Sequence, residues 1–260
     1  MAFFEMHYHS DALGMGVSVN VILPENAKTL IGMAANAAGE YKTLYLFHGL
    51  SDDQTIWMRR TSIERYAAEY GIAVVMPSVG RSWYTDTAYG AAYFTFVTKE
   101  LPAVCRSYFR GMSQKREDTL VAGLSMGGYG ALKAALSCPD TFGGCASLSG
   151  ALDICSFSRP DFEREWRGIL GDEIDSITGL TGTKHDLFAL SMQLSQSGGP
   201  FPKTYLWCGD SDFLLAHSKR FSAHLHTLGV KHLYEQSEGD HSWQWWDLHI
   251  RAALNYLLKA

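Results

Sequence analysis

The segment Gly123-Leu124-Ser125-Met126-Gly127 constrains this chain more than any other. It lies where an apolar β-type run, Thr119–Ala122, gives way across Gly128-Tyr129-Gly130 to a helix-type run, Ala131–Leu136. A strand, a tight turn and a helix in that order bend the backbone so sharply that the central side chain stands free above the strand end. The helix N-terminus is then aimed at whatever reacts there. A Cβ at either flanking glycine would collide with the neighbouring strand or helix. Five-residue matches of this kind also arise by chance, and it is the strand before and the helix after that give this one weight. Ser125 is accordingly the candidate nucleophile.

Further apolar β-type runs occupy Phe3–His9, Gly16–Leu23, Thr43–Phe47, Ile72–Met76, Cys145–Leu148, Thr204–Cys208 and His232–Gln236. Helical spacing fills most of the later gaps, over His217–Leu228 and Trp246–Leu258 among others, and Thr61-Ser62-Ile63-Glu64 is a capping-box signature for a helix that stops at Gly71. Strands alternating with helices need crossover connections, which predicts a mostly parallel sheet covered on both faces. The two opening strands have no helix between them and should pair antiparallel at its edge. Phe94–Phe109 reads as a helix that Pro102 should kink or restart.

The 260 residues, 47% hydrophobic, can bury a large core, and one α/β domain over 1–260 is the economical reading. Asp153–Pro200 is too long for a connector. With Arg159, Glu163, Arg164, Glu165 and Arg167 around Trp166 and a helical Leu187–Leu194, it is expected to be a lid or cap insertion at about 153–200. A net charge of −5 without a basic cluster offers nothing to neutralise a phosphate backbone, which argues against a nucleic-acid partner. Met1–His9 alternates apolar and polar residues as a strand does and lacks the pattern of a signal peptide. No apolar stretch approaches the roughly 20 residues of a membrane span. Five scattered cysteines, an odd number, fit reduced packed thiols, and a cytoplasmic protein is the expectation; a homo-oligomer is compatible with all of this.

A serine hydroxyl becomes a nucleophile only when a base takes its proton, and the base needs a carboxylate to fix its tautomer. Of ten histidines, His241 alone sits in a glycine-containing loop after the last strand and before the last helix. His7 and His9 alternate on an edge strand, and His224 and His226, two apart on a helix, diverge. No His-Glu-x-x-His run or cysteine pair offers a zinc site, so no metal or other cofactor is called for. Asp210 and Asp212 both follow the strand Thr204–Cys208, and Asp240 adjoins the histidine. Neighbours on extended chain point to opposite sides, which disfavours Asp240. Asp212 is preferred to Asp210 because the apolar Phe213-Leu214-Leu215 after it can anchor it under the imidazole. The tetrahedral oxyanion needs two donors: the backbone N–H of Met126 after the nucleophile, and that of Leu50 in His48-Gly49-Leu50-Ser51-Asp52 after the strand Thr43–Phe47. The aromatic loop residues Trp83, Tyr84, Tyr89 and Trp243 are expected to narrow a substrate pocket, while Trp245 and Trp246 read as helix-packing residues.

The order serine, aspartate, histidine is that of the α/β-hydrolases. Over nearly its whole length the chain resembles their esterase D-related branch, and within it the bacterial tributyrin or acetyl esterases. The carriers are Leu46–Ser51, Met58–Thr61, Val75–Pro77, Trp83–Asp86, Lys115-Arg116, Ala122–Gly130, Ser149–Ala151, Cys208-Gly209, Asp212–Leu214, His241 and Trp245. The resemblance implies an α/β-hydrolase fold and a serine carboxylesterase for small-molecule esters with short acyl groups, acetyl to butyryl, working through Ser125, Asp212 and His241 and the amides of Leu50 and Met126. The branch also holds S-formylglutathione hydrolases. Their eukaryotic-type members carry a cysteine in the oxyanion loop, and Gly49–Asp53 has none, which lowers that alternative. An inactive hydrolase-fold binding module ranks lower still, since all three catalytic groups are present.

Overall fold

The computed structural model of the chain describes residues 1–25, 39–157, 160–171 and 176–259. The runs read as strands all are strands, shifted by a residue or two at their ends: β1 (Ala2–Ser10), β2 (Met15–Leu23), β3 (Thr43–Phe47), β4 (Ala73–Pro77), β5 (Thr119–Leu124), β6 (Gly144–Leu148), β7 (Lys203–Gly209) and β8 (His232–Ser237). They form one eight-stranded sheet in the order β1-β2-β4-β3-β5-β6-β7-β8. β1 pairs antiparallel with β2, and β2 antiparallel with β4. Every later pairing is parallel. This is an α/β-hydrolase fold, and the antiparallel edge lies where the missing crossover put it.

β3, β4, β5 and β6 are buried along their whole length, as unbroken apolar runs must be when helices cover both faces. Alternation along each strand divides the core. Tyr45, Phe47, Val75 and Val121 face one layer, with Met126, Tyr129, Phe221 and Leu225 from helices, while Leu44, Leu46, Val74 and Ala122 face the other, with Trp57, Ile63, Trp246 and Ile250. The helices in chain order are α1 (Ile56–Arg60), α2 (Ile63–Tyr70), α3 (Tyr93–Thr95), α4 (Leu101–Tyr108), α5 (Met126–Ser137), α6 (Pro160–Leu170), α7 (Leu187–Ser197), α8 (Leu215–Thr227) and α9 (Trp243–Leu258). α5 is buried from Met126 to Leu136, and apart from Lys133 every buried position on it is apolar, glycine or aromatic.

One local reading resolves differently from expectation. α2 stops at Gly71, which is left-handed (φ 64°), but its N-cap is Ser62 without a side-chain bond. Thr61 Oγ1 instead donates to Trp57 C=O at 2.6 Å, and Asp247 of α9 takes the Ser62 N–H at 2.8 Å. A tertiary carboxylate replaces the local box. Of the two outcomes expected at Pro102, the helix restarts: α3 and α4 are joined by a π-helical turn, Phe96–Glu100, and Pro102 stands in the first turn of α4, where its missing N–H costs no helical bond. Between β6 and β7 lie α6, α7 and the 3₁₀ turn Ile177–Leu180; Arg159 and the rest of 158–159 and 172–175 fall outside the described residues. The five cysteines are free thiols, and no described helix is long and apolar enough to cross a membrane.

Candidate active site

Loops at the C-terminal ends of β3, β4, β5, β6, β7 and β8 converge above the sheet, the usual place for ligands in such folds. The β5–α5 turn contributes Ser125 at φ 52°, ψ −117°, a conformation costing on the order of 1–3 kcal/mol for a residue with a Cβ. The surroundings hold it there. Ser125 N–H donates to Leu148 C=O at 3.0 Å, and Ser125 C=O accepts from Tyr129 and Ala151 at 3.1 and 3.2 Å. The flanking glycines are steric necessities: a Cβ on Gly123 would lie 2.3 Å from the Gly127 carbonyl oxygen, and one on Gly127 would lie 2.5 Å from that of Phe47.

His241 and Asp212 come from the loops after β8 and β7. Gly209 and Gly239 let those loops touch, since a Cβ on Gly209 would stand 2.2 Å from the Gly239 carbonyl oxygen. Asp210 N–H to Ser237 C=O and Ser211 N–H to Gly239 C=O, both 2.9 Å, lock them together. His241 Nδ1 lies 2.9 Å from Asp212 Oδ2 and 3.1 Å from Oδ1, and Oδ1 also accepts the Leu214 N–H at 2.8 Å. Burial alone would raise the Asp212 carboxyl; the imidazole, the Leu214 amide and the Ser149 hydroxyl outweigh it and hold the carboxyl below its usual range. An ionised carboxylate on Nδ1 fixes the tautomer that leaves Nε2 as acceptor. Of the other two carboxylates in reach by sequence, Asp210 bonds Ser211 and Asp240 bonds Ser242.

Ser125, His241, Leu50, Met126, Trp83 and Trp243 line one cavity of about 360 Å³, towards the small end for ligand pockets. A larger cleft of about 840 Å³ at the opposite end of the sheet is lined by Arg116, Lys203, Lys231 and Lys259 among others, and neither Ser125 nor His241 reaches it. Chemistry, not size, picks the site. Met126 opens α5, where N–H groups have no intrahelical acceptor. Leu50 follows a peptide whose carbonyl is turned away by His48: Nδ1 of that buried imidazole lies 2.7 Å from Gly49 C=O, and Nε2 accepts the Val79 N–H at 3.0 Å. The two contacts allow only the neutral Nδ1–H tautomer, and burial likewise depresses the His48 pKa.

Two of the expected pocket aromatics stand elsewhere. Tyr84 is fully buried behind the wall, its ring stacked on Phe47 at 4.4 Å and seated where Gly130 lacks a Cβ, its hydroxyl donating to His48 C=O at 3.0 Å. Tyr89 is 74% exposed and packs by Gly171. In their place Trp246, Phe157, Phe162, Phe213 and Asp52 reach the cavity. Trp246 sets its ring edge-to-face with His241, 4.9 Å away, and donates Nε1–H to Ser149 Oγ at 3.1 Å. Trp246 packs in the core as the sequence reading expects and lines the cavity as well, because α9 starts at Trp243 rather than Trp246 and so carries Trp243 and Trp246 in its first turn, at the site.

The Esterase family model matches residues 10–257. An acetyl esterase of Caldicellulosiruptor saccharolyticus is 32% identical, aligned over 100% of this chain and 99% of that protein. Among solved structures, the substrate-bound fluorophosphonate-binding serine hydrolase FphF of Staphylococcus aureus superposes with a TM-score of 0.88 at 35% identity, covering 100% of this chain and 99% of that one. An S-formylglutathione hydrolase, FrmB, of the same organism gives 0.85 at 34% identity, covering 99% of each.

Proposed function

This chain belongs to the Esterase family of α/β-hydrolase-fold serine esterases, and we propose that within it the protein is a carboxylesterase for small uncharged esters of acetyl to butyryl acids, nearest in kind to the bacterial acetyl and tributyrin esterases. The observation that carries the reading is the meeting, at one small cavity, of a serine in a left-handed turn with an imidazole whose far nitrogen is held by a buried carboxylate.

Ser125 Oγ attacks the ester carbonyl as His241 Nε2 takes its proton. The charge that develops on oxygen is met by the N–H groups of Met126 and Leu50, and Asp212 stabilises the imidazolium. That imidazolium gives its proton to the departing alkoxide, and the alcohol leaves. Water, deprotonated by the same nitrogen, then attacks the acyl-serine and releases the acid. The residues 153–200 serve as a cap, in keeping with Phe157 and Phe162 at the rim of the cavity.

The thioester reading has the FrmB likeness in its favour. The described lining weighs against it: Asp52 is a carboxylate, and among the described residues no lysine or arginine stands in the cavity to meet the two carboxylates of a glutathionyl leaving group. A fluorophosphonate probe should label the protein at Ser125, and Ser125→Ala should abolish both labelling and p-nitrophenyl acetate hydrolysis. Undiminished turnover by the pure variant would assign the chemistry to another residue, and S-formylglutathione turned over far faster than any oxygen ester would give the thioester reading precedence.

A further inference from the structure

Lys133 is buried to 3% exposure on α5 and takes no part in the chemistry described above. Among the described residues it has no ion-pair partner. Its Nζ lies 2.6 Å from Thr85 Oγ1, 3.3 Å from Tyr84 C=O and 3.2 Å from His185 Nδ1, between the rings of Phe94 and Tyr129 at 5.1 and 5.6 Å. Thr85 spends its own proton on the Trp83 carbonyl, at 3.0 Å, so its oxygen can only accept from the lysine. The backbone carbonyl accepts too, and burial keeps His185 neutral, so that in its Nε2–H tautomer Nδ1 accepts; burial also pulls the Lys133 pKa down to about 7, and these acceptors are what favour its charged form. Three acceptors thus face one nitrogen, the arrangement that suits an ammonium's three N–H groups.

The segment held this way is an unusual one. Trp83 and Tyr84 are consecutive bulky residues at φ 52° and 50°, a region that side chains rarely enter. Lys133 fastens the Tyr84 carbonyl directly and the Trp83 carbonyl through Thr85, while Gly130, one turn earlier on the same helix face, makes room for the Tyr84 ring. The turn ends in the indole of Trp83, which lines the cavity and packs against Phe162 and Trp166 at 5.7 and 5.6 Å. The third contact, to His185, ties the same nitrogen to the segment between β6 and β7.

We infer that Lys133 is a positioning residue for acyl-chain selection: it holds the left-handed Trp83–Tyr84 turn, and thereby sets how far the Trp83 indole closes the pocket to acyl chains longer than butyryl. The inference rests on the esterase reading of the site.

The test is a p-nitrophenyl ester series from acetate to octanoate on the wild type, Lys133→Met, Thr85→Val and Thr85→Ser, each checked for folding by thermal melt and by fluorophosphonate labelling. Lys133→Met and Thr85→Val should each lower the butyrate-to-octanoate ratio of kcat/KM by about 10-fold, the scale on which a pocket discriminates small changes in chain length. Thr85→Ser, which keeps the hydroxyl, should retain the wild-type ratio. If Lys133→Met does not fold, the Val and Ser pair at residue 85 decides alone. Folded variants with an unchanged ratio overturn the role of Lys133 and leave the esterase reading standing, whereas a wild type that neither reacts with the probe nor hydrolyses any ester of the series removes both.

Discussion

Replacing His48 with phenylalanine keeps a ring of similar size and removes both nitrogens, which makes it a direct test of how the oxyanion loop is aimed. In a planar trans peptide the carbonyl and the next N–H point in opposite directions. His48 Nδ1–H draws the Gly49 carbonyl to its own side at 2.7 Å, so the Leu50 N–H is sent to the other, the side of the cavity that Leu50 lines. Without the imidazole, only the long Asp52 N–H contact of 3.3 Å restrains that carbonyl, and the peptide can turn over. Loss of one oxyanion donor lowers turnover by about 10²–10³. Little change in KM should accompany it, because the donor acts on charge that exists only in the transition state. Stability should fall as well: the buried Val79 N–H loses its acceptor, at about 1–3 kcal/mol. In a chain of this size that corresponds to a drop of roughly 2–6 °C in Tm. Steady-state kinetics on p-nitrophenyl acetate and a calorimetric melt measure the two effects separately. A folded His48→Phe enzyme whose kcat stays within about 3-fold of wild type would show that the imidazole does not govern the Leu50 amide, against the far larger loss expected for a missing donor.

Asp212→Asn should reduce kcat by about 10⁴ with KM nearly constant, since an amide on Nδ1 permits the wrong tautomer; a loss below about 10-fold in single-turnover assays would mean another group orients His241. His217 supplies a pH test. Its Nδ1 accepts the Asp153 N–H at 3.1 Å, which requires the neutral ring, and burial pushes its pKa down to about 4 from 6.5. Because the folded value lies below the unfolded one, unfolding takes up a proton; stability is full above about pH 6.5 and falls towards pH 4, by up to about 3 kcal/mol from this ring. Urea titrations across that range should give a shallower acid slope for His217→Gln than for wild type, and equal slopes would refute the assignment.

The parallel strands were legible because residues buried on both faces must be apolar without interruption, and that signal survives with no knowledge of neighbours. Ser125 was legible for a related reason: the glycines about it answer to local sterics. Choosing between Asp210 and Asp212 was harder. What decides their positions is the interlocking of two loops through Gly209 and Gly239, a contact between segments 30 residues apart, and the anchor under Asp212 is the Leu214 amide, with the Phe213 side chain 70% exposed over His241. Pocket membership was the least legible. Tyr84 and Tyr89 sit in the same polar aromatic stretch as Trp83 and have the same composition cues, yet the left-handed pair of residues sends one indole to the cavity and the next ring into the gap over Gly130. No periodicity announces such a turn.

That turn belongs to a wider pattern. Among the described residues, the non-glycine positions with positive φ are Trp83, Tyr84, Ser125 and Ser149; Trp83 and Ser125 line the cavity, Tyr84 backs its wall, and Ser149 bonds the indole of the lining residue Trp246. Each is held by hydrogen bonds from more than one direction: Ser149 by its N–H to Trp207 C=O at 2.8 Å and by the Trp246 indole on its hydroxyl, Ser125 by β6 and α5, the Trp83–Tyr84 pair by Thr85 and Lys133. Such conformations persist only where the surroundings over-determine them. The fold therefore concentrates its unfavourable backbone geometry on the strand ends that carry the proposed nucleophile, the pocket wall and the hydroxyl beside Asp212, and places the buried helix α5 beneath them. Relaxing any one of these turns should move a reacting or lining group, while strain of the same size in a distant surface loop would move none; substitutions that loosen Ser149 or Thr85 should consequently disturb kinetics more than they disturb the melting temperature.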